Sequence, residues 1–199
     1  MSSTVVVCFS GGIDSTVLAA LALQEQRLAA CLVYRYGQPN VEAEMSSASE
    51  WCKRTGVVRV MVDLPPAGKV MAIGEGVKGP RVVPGRNLVM LAHAVQYAAA
   101  HGHAEVWYGA IYDDREGYAD CRPAFVQGMA IAASAYGVQV RAPLIVHTKR
   151  EIVELARGLG VDIGATWSCY EPRWMGHRAH PCHTCDACIR RAVALEVAP

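Results

Sequence analysis

Phe9-Ser10-Gly11-Gly12-Ile13-Asp14-Ser15-Thr16 decides the fold. It follows an apolar run of strand type, Thr4 to Cys8, and opens a helix-like run, Val17 to Leu23. The first turn of a helix leaves backbone N–H groups unpaired and its dipole favours negative charge, so this arrangement outlines a phosphate site. Gly11 and Gly12 remove the Cβ atoms that would hold a phosphate off the backbone. Ser10, Ser15 and Thr16 add hydroxyls, and Asp14 falls where an N-cap is expected. No lysine lies between Gly11 and Gln24, so the G-x-x-x-x-G-K-[ST] loop is excluded. The spacing is not G-x-G-x-x-G either. The bland alternative is an ordinary strand-turn-helix with a glycine turn.

Working outward, strand and helix patterns alternate. Val5 to Phe9, Ala29 to Tyr34, Val57 to Val62, Glu105 to Gly109 and Val138 to Ala142 read as strands. Asp14 to Gln26, Val41 to Thr55, Asn87 to His101, Pro123 to Tyr136 and Lys149 to Leu159 read as helices, the last capped by Thr148 with Glu151 in a capping box. The glycines and prolines between Pro65 and Pro80 mark a loop. Continuous apolar strands between amphipathic helices predict a parallel sheet covered on both faces. Ligands in such sheets bind beyond the carboxyl ends of the strands. The glycine loop, Tyr36 to Gln38, and Tyr108 to Asp114 all fall there.

The 199 residues are 52% hydrophobic and 19% charged, with a formal net charge of +1. That balance describes a well-buried chain of one α/β domain with a small appendage. No basic run stands out, so nothing in the composition supports nucleic-acid binding. No signal peptide is apparent, and no apolar stretch approaches the roughly 18 to 20 residues a bilayer requires. A soluble, cytoplasmic protein with no membrane partner is expected.

Eight cysteines in such a chain are not a disulfide framework. Cys8, Cys31 and Cys52 read as small buried hydrophobes. Cys169, Cys182, Cys185 and Cys188 follow the spacing Cys-x12-Cys-x2-Cys-x2-Cys, which can place four thiolates on one ion. Structural zinc favours this set, with an iron–sulfur cluster or free thiols as alternatives. His177, His180 or His183 could replace a cysteine, though solvated loop residues are the simpler reading. The intervening segment reads as irregular, and metal binding would supply its folding energy. A fully thiolate-ligated zinc keeps no open position, so a catalytic role is not expected.

A second polar constellation lies mid-chain. Arg86 and Asn87 open a helix after Val83-Pro84-Gly85, and arginine suits a bidentate grip on carboxylate or phosphate. The run Asp113 to Pro123 offers Tyr118, Asp120 and Arg122 as a purine-like recognition loop. Lys149 could neutralise phosphate charge. A solvated loop with surface ion pairs is the alternative.

Ser10-Gly11-Gly12-Ile13-Asp14-Ser15 resembles the pyrophosphate loop (PP-loop) of the ATP pyrophosphatase superfamily. The matching segments further along are Tyr36-Gly37-Gln38, Val83 to Asn87, Gly117 to Pro123, Ala142 to Ile145, Thr148-Lys149, Thr166 to Tyr170 and the cysteine tail. With them, nearly the whole chain resembles the QueC family of 7-cyano-7-deazaguanine synthases. The resemblance implies a doubly wound parallel α/β sheet, adenine nucleotide alpha hydrolase-like. Residues 1–165 would form the nucleotide-binding domain and 166–199 a zinc-binding C-terminal segment packed on it. It implies an ATP-dependent ligase that converts 7-carboxy-7-deazaguanine and ammonia to the nitrile through adenylate and amide intermediates, in queuosine biosynthesis. Catalytic roles would fall to Ser10, Asp14, Ser15, Arg86 and Lys149. ATP would meet Phe9, Ser10, Gly11, Gly12, Ile13, Asp14, Ser15, Thr16, Val17, Leu18 and Ala19. The deazaguanine would meet Tyr36, Gln38, Arg86, Asn87, Tyr118, Asp120 and Arg122. Structural Zn2+ on the four cysteines, Mg2+ with ATP, and a homodimer complete the implied set.

Two departures stand out. Pro39-Asn40 follow Tyr36-Gly37-Gln38 where the family usually has Arg-His, and the stretch from Leu64 to Val82 is short. Both leave open an enzyme that stops at 7-amido-7-deazaguanine. A tRNA-thiolating PP-loop enzyme would need a reactive cysteine near the loop and a basic face. A non-catalytic nucleotide-binding zinc module is the remaining alternative.

Overall fold

The structure is a computed structural model and describes residues 3–65 and 83–197. Strand β1 (Val5–Cys8) leads through the glycine loop to helix α1 (Ile13–Gln24). Then come β2 (Leu28–Arg35), α2 (Val41–Thr55) and β3 (Val58–Asp63), followed by α3 (Arg86–Ala100), β4 (Glu105–Trp107), α4 (Pro123–Ser134), β5 (Gln139–Arg141) and α5 (Lys149–Gly158). All five strands are parallel, in the order β3-β2-β1-β4-β5. The chain winds outward from β1 to β3 and returns to place β4 on the other side of β1. The switch in winding direction therefore opens a crevice between the carboxyl ends of β1 and β4, where such sheets bind ligands.

Alternation along β1 builds two cores. Val5 and Val7 are fully buried with Val17 and Leu18 of α1, Trp51 of α2 and Ile152 of α5. Val6 is buried on the opposite face with Leu91 and Val95 of α3 and Met129 of α4. The central strands β1, β2 and β4 are covered on both sides and mostly apolar, as their sequence predicts, whereas the edge strands β3 and β5 leave Val58, Arg59, Gln139 and Arg141 exposed.

The alternating elements stand where the sequence places them, with several strands and helices trimmed at their ends. Phe9, Gly109 and Ala142 fall outside their strands. Thr148 caps α5 as expected: its hydroxyl accepts from the Glu151 N–H, and its own N–H donates to the Glu151 carboxylate at 2.7 Å. Asp14 is not an N-cap. Gly12 holds that position with no side-chain cap, and Asp14 lies in the first turn. The C-terminal segment is not irregular. It forms an antiparallel hairpin, β6 (Arg173–Met175) with β7 (Arg178–His180), and a helix, α6 (Asp186–Val197). Ala194 of α6 packs on Val153 of α5, which supplies an apolar contact that cysteine spacing alone does not reveal. Most of the loop expected between Pro65 and Pro80 lies outside the described residues.

The amino end of the sheet is closed by a buried ion pair. Glu105 is 6% exposed, accepts from Arg27 Nη2 at 2.7 Å and from the Trp107 indole at 2.8 Å, and has Arg141 at 3.4 Å. Burial alone would raise its pKa, but the Trp107 and Arg27 hydrogen bonds outweigh it and hold the carboxyl below its ordinary value. A depressed carboxyl contributes stability above its unfolded pKa and loses it as pH falls through the folded value. Glu105→Ala should therefore lower stability by about 1–3 kcal/mol, because it removes the charged acceptor of the buried Trp107 indole and one partner of Arg27, which keeps Glu25 and the Ser3 carbonyl. Its deficit in urea unfolding should shrink under acid conditions, and an unchanged midpoint at neutral pH would refute this account.

Candidate active site

The glycine loop is held by contacts on its far side. Gly11 has φ +76°, and a Cβ there would lie 2.8 Å from the Ala48 nitrogen and 3.1 Å from the Glu44 carbonyl of α2. Its carbonyl accepts from the Trp167 N–H and the Ser47 hydroxyl, both at 2.9 Å. Gly11 is thus a glycine because α2 packs on it, rather than to admit a phosphate. Gly12 faces the crevice, with Trp167 O and Ser10 Oγ as its near neighbours. Ser15 Oγ accepts from the Ser10 N–H at 3.2 Å and donates to the Gly12 carbonyl at 3.1 Å. Ser10 Oγ accepts from the Gly12 N–H at 3.3 Å. These hydroxyls brace the loop.

Above the loop lies a cavity of about 670 Å³, lined by Ser10, Gly12, Ile13 and Asp14, by Lys149 and Thr148, and by Trp167, Ser168 and Tyr170. One face of α6, with Asp186, Ile189, Arg190 and Val193, forms its far wall. The Lys149 ammonium donates to both Asp14 oxygens, at 2.6 and 2.8 Å, and the Lys149 N–H donates to Asp113 at 2.8 Å. The α5 cap thereby places a cation at the start of α1. Arg190 Nη1 donates to Asp114 at 2.8 Å. Burial, and then the nearby Asp14 charge, push Asp114 up to about 6 against the pull of Lys149 and Arg190.

A second cavity of about 240 Å³ lies deeper, between the ends of β1, β2 and β4. It shares Ser10, Gly12, Asp14, Glu44 and Tyr170 with the first. Arg86 and Asn87 face it from the start of α3. The Arg86 guanidinium lies 5.9 Å from the Tyr36 ring centroid and donates to its hydroxyl at 3.3 Å. Gln38 lines this cavity too, yet its amide is engaged. It accepts from the Tyr36 N–H and donates to the Tyr34 carbonyl, both at 2.9 Å, and to Glu44 at 3.1 Å. Cys8 and Cys121 also line it; burial above all pushes each up to about 12, so both remain thiols.

Not every residue named from sequence reaches a cavity. Thr16, Val17, Leu18 and Ala19 are at most 2% exposed and pack in the core beneath the loop, because α1 is buried from its second turn. Tyr118 lines the large cavity beside Tyr170, and burial raises both phenols. Asp120 and Arg122 line neither cavity. Arg122 turns outward and donates from Nε to the Arg115 carbonyl at 3.1 Å. Sequence reading overlooked Glu44, Tyr170, Asp186 and Arg190. For Arg190 a signal was present: Asp186, Arg190 and Val193 recur at helical spacing among the cysteines.

Asn40, one of the two departures, is 4% exposed. Its amide donates to Glu44 at 3.1 Å and to the Cys169 carbonyl at 3.2 Å. The residue joins the end of β2 to the cysteine segment.

The four Sγ atoms of Cys169, Cys182, Cys185 and Cys188 lie within 4.8 Å of one another. Their spacing is too wide for disulfides, which need about 2.05 Å, and suits the roughly 3.8 Å edge of a tetrahedron of 2.3 Å bonds. Sγ of Cys169 accepts from the N–H groups of Glu171 and Cys182, and Sγ of Cys182 from that of Cys185, at 3.2–3.3 Å. Such donors stabilise thiolate charge. Among the described residues no histidine joins the set, so His177, His180 and His183 do not replace a cysteine.

The two glycines of the loop should respond differently to a methyl group. Gly11→Ala should cost about 2 kcal/mol or more in unfolding experiments, through overpacking against α2 and a strained φ. Gly12→Ala, with an ordinary φ of −77° and its nearest neighbours 3.2 and 3.3 Å from the added Cβ, should cost less than Gly11→Ala. Equal stability of the two variants would contradict the packing described.

A family model described as Queuosine biosynthesis protein QueC matches residues 4–198. The 7-cyano-7-deazaguanine synthase of Anaeromyxobacter sp. (strain Fw109-5) is 36% identical over 211 residues, covering 94% of this chain and 88% of the relative. That of Synechococcus sp. (strain RCC307) is 34% identical over 220 residues, covering 100% and 96%. Among solved structures, the U34-tRNA thiolase NcsA from Methanococcus maripaludis with its 4Fe-4S cluster aligns with a TM-score of 0.55 at 15% identity. It covers 98% of this chain and 64% of that one. NMN synthetase from Francisella tularensis aligns at 0.54 and 20% identity, covering 82% and 64%. These structures share the fold. Among the described residues no helix is long and apolar enough to cross a membrane. The sequence match, running through the glycine loop to the cysteine tail, shows that the chain belongs to the QueC family.

Proposed function

We propose that the protein is an ATP-dependent ligase that converts 7-carboxy-7-deazaguanine and ammonia to 7-cyano-7-deazaguanine. The observation that carries this reading is the uncapped start of α1, with the Lys149–Asp14 pair beside it, opening onto joined cavities in a chain of this family. A carboxylate is a poor electrophile. Attack of its oxygen on the α-phosphorus of ATP expels pyrophosphate and gives an adenylate. Ammonia then adds at the acyl carbon, AMP leaves, and loss of a proton gives the amide. The amide oxygen is adenylated by a second ATP, and loss of AMP and two protons in all leaves the nitrile. The N–H groups of the first turn of α1 and the Lys149 ammonium would bind the departing pyrophosphate, where charge develops. Ser10 and Ser15 keep the loop in shape, and Arg86, stacked on Tyr36, would hold a carboxylate or phosphate in the inner cavity.

Mg2+ prefers carboxylate and phosphate oxygens. Asp14, with Asp114 near it, offers such donors, and the ion would offset phosphate charge. The thiolate set fits Zn2+, since four thiolates around a single ion stand closer together than around a four-iron cube. With all four positions filled by Cys169, Cys182, Cys185 and Cys188, that zinc would be structural. The thiol state of Cys8 and Cys121 favours amidation over tRNA thiolation, which needs a reactive thiolate. The near-neutral charge fits a cytoplasmic enzyme acting on a free base rather than a nucleic acid. Exposed Leu88 and Val89 on α3, Ile131 on α4 and Tyr136 just beyond its end favour a homodimer, which sedimentation would reveal.

Mass spectrometry of the product from 7-carboxy-7-deazaguanine, ammonia and ATP tests the reaction. The expected outcome is the nitrile with two pyrophosphates released per product; one pyrophosphate and the amide would mark the shorter reaction, and none would end the proposal. Feeding the isolated amide with ATP should give nitrile, showing that Pro39-Asn40 supports the second activation. Asp14→Ala and Lys149→Ala should each reduce turnover by about 10² or more, as for other positioned electrostatic groups. Full activity in both would remove the loop from the mechanism. Elemental analysis should find about one zinc per chain, and Cys185→Ser should lose zinc and stability together. A stable, metal-free wild-type protein would overturn the structural role.

A further inference from the structure

Glu44 of α2 stands where the cavities meet. With Tyr170 it borders both cavities described above and a third, of about 50 Å³, beside Pro39 and Asn40. Two carboxylates line the inner cavity, Asp14 and Glu44. Asp14 is engaged, since the Lys149 ammonium donates to both of its oxygens. Glu44 instead meets two neutral amides. Gln38 Nε2 donates to its Oε2 and Asn40 Nδ2 to its Oε1, each at 3.1 Å. A carboxylate oxygen has two lone-pair directions, so each keeps one for a further donor. Both amides are themselves fixed: Gln38 by the Tyr36 N–H and the Tyr34 carbonyl, Asn40 by the Cys169 carbonyl. The carboxylate is therefore held in one orientation before a ligand arrives, which lowers the cost of binding.

Two parallel acceptors match two parallel N–H donors. The ring N–H and the neighbouring 2-amino group of a guanine-type base form such a pair. Adenine offers one amino group beside an unprotonated ring nitrogen, whose lone pair would face a carboxylate oxygen. A carboxylate at this junction therefore separates the two kinds of base that the proposed reaction brings together. Arg86 lines the same cavity and supplies the opposite charge for an acidic substituent. Asp120, expected from sequence in the recognition loop, lines none of the three cavities. We propose that Glu44 is the specificity-determining residue for the base: its two oxygens accept from the ring N–H and the 2-amino group of a guanine-type heterocycle in the inner cavity, while Arg86 faces the acid group. The identity of that heterocycle as 7-carboxy-7-deazaguanine rests on the reaction proposed above; the edge recognition does not. Burial raises the Glu44 pKa, and the Gln38 amide, the Arg86 charge and the Asn40 amide lower it. Two N–H donors from a base would further favour the charged form.

The test compares 7-carboxy-7-deazaguanine with its analogue lacking the 2-amino group. Binding to the full-length protein is read by calorimetry, and turnover by kcat/KM. The wild-type protein should favour the amino compound by about 10- to 100-fold, the scale of one hydrogen bond to a charged group. A site built to accept from a substrate N–H rejects the analogue that lacks it, because its acceptor is left unpaired. In Glu44→Gln one acceptor becomes a donor, so the amino compound should lose a similar factor and the ratio should approach one. If the carboxylate only tied Gln38 to Asn40, its loss would weaken both compounds alike and keep the ratio. Cooperative unfolding establishes that the variant is folded. Should Glu44→Gln fail to fold, Glu44→Asp withdraws the carboxylate by one methylene and should also narrow the ratio. A folded variant with the wild-type ratio would overturn the inference, as would a wild-type protein that binds both compounds equally or binds neither. If the wild-type protein shows the preference yet releases no pyrophosphate with ATP and ammonia, the reaction falls, and the ratio in Glu44→Gln still decides the role of Glu44.

Discussion

The carbonyl oxygen of Gly11 is where the reaction end of the molecule is assembled. It accepts from Ser47 on α2 and from the backbone of Trp167 at the head of the cysteine segment. The space a side chain would need is filled by α2 itself. One oxygen and one missing Cβ thus bring β1, α2 and residues more than 150 positions away in sequence into register. Ser47 extends the joint by reaching the Ala165 carbonyl at 2.7 Å. Because this bracing lies behind the loop, the start of α1 can remain uncapped in front. A capping side chain would have satisfied the helix and closed it to a ligand.

Electrostatics at the cavity follows from that geometry. Bringing α1 close to the turn after β4 sets Asp14 and Asp114 near each other, which costs energy as long as both are ionised. Gly109 packs against this start of α1: a Cβ there would make ordinary van der Waals contact with Asp14 and Ser15, at 3.5–3.6 Å. Lys149 and Arg190, one from each side, offset the repulsion. The two cations come from opposite ends of the last third of the chain, so the charge balance depends on α5 and α6 both being in place. The inner cavity solves a similar problem differently. Burial raises the pKa of Glu44, and the Gln38 amide, the Arg86 charge and the Asn40 amide partly offset it.

The cysteine segment acts as a wall as well as a cluster that could hold a metal ion. Cys169 is tied to the end of β2 through Asn40, and α6 is tied to α5 through Ala194 and Val153. Arg191 adds hydrogen bonds to Thr166, Ser168 and the Ile163 carbonyl. A small segment with little core of its own gains stability from ligation, and here the same contacts complete the cavity. The solved neighbours show that this sheet occurs in proteins of different activity. Fold alone therefore does not choose the chemistry, and the side chains at the crevice do.

The sequence by itself determined the parallel sheet, the loop after β1, the α5 cap and the four cysteines. Each is written in short-range terms: apolar runs of strand length, a glycine pair between strand and helix, a Thr-x-x-Glu box and fixed Cys spacing. Local sterics and local hydrogen bonds suffice to decode them. The trimmed strand ends, the burial of Thr16 to Ala19 and the outward turn of Arg122 were not legible, because they depend on what packs above each residue. Tertiary structure alone decided the reason for Gly11, the inward use of Gln38 and Asn40, and the approach of Arg190 to Asp114. The partners in these contacts come from distant segments: Asn40 and Cys169 are 129 positions apart, and Asp114 and Arg190 are 76 apart. No periodicity or spacing encodes such pairs. They arise only when the windings of the sheet and the closure of the cysteine segment bring them within hydrogen-bonding distance.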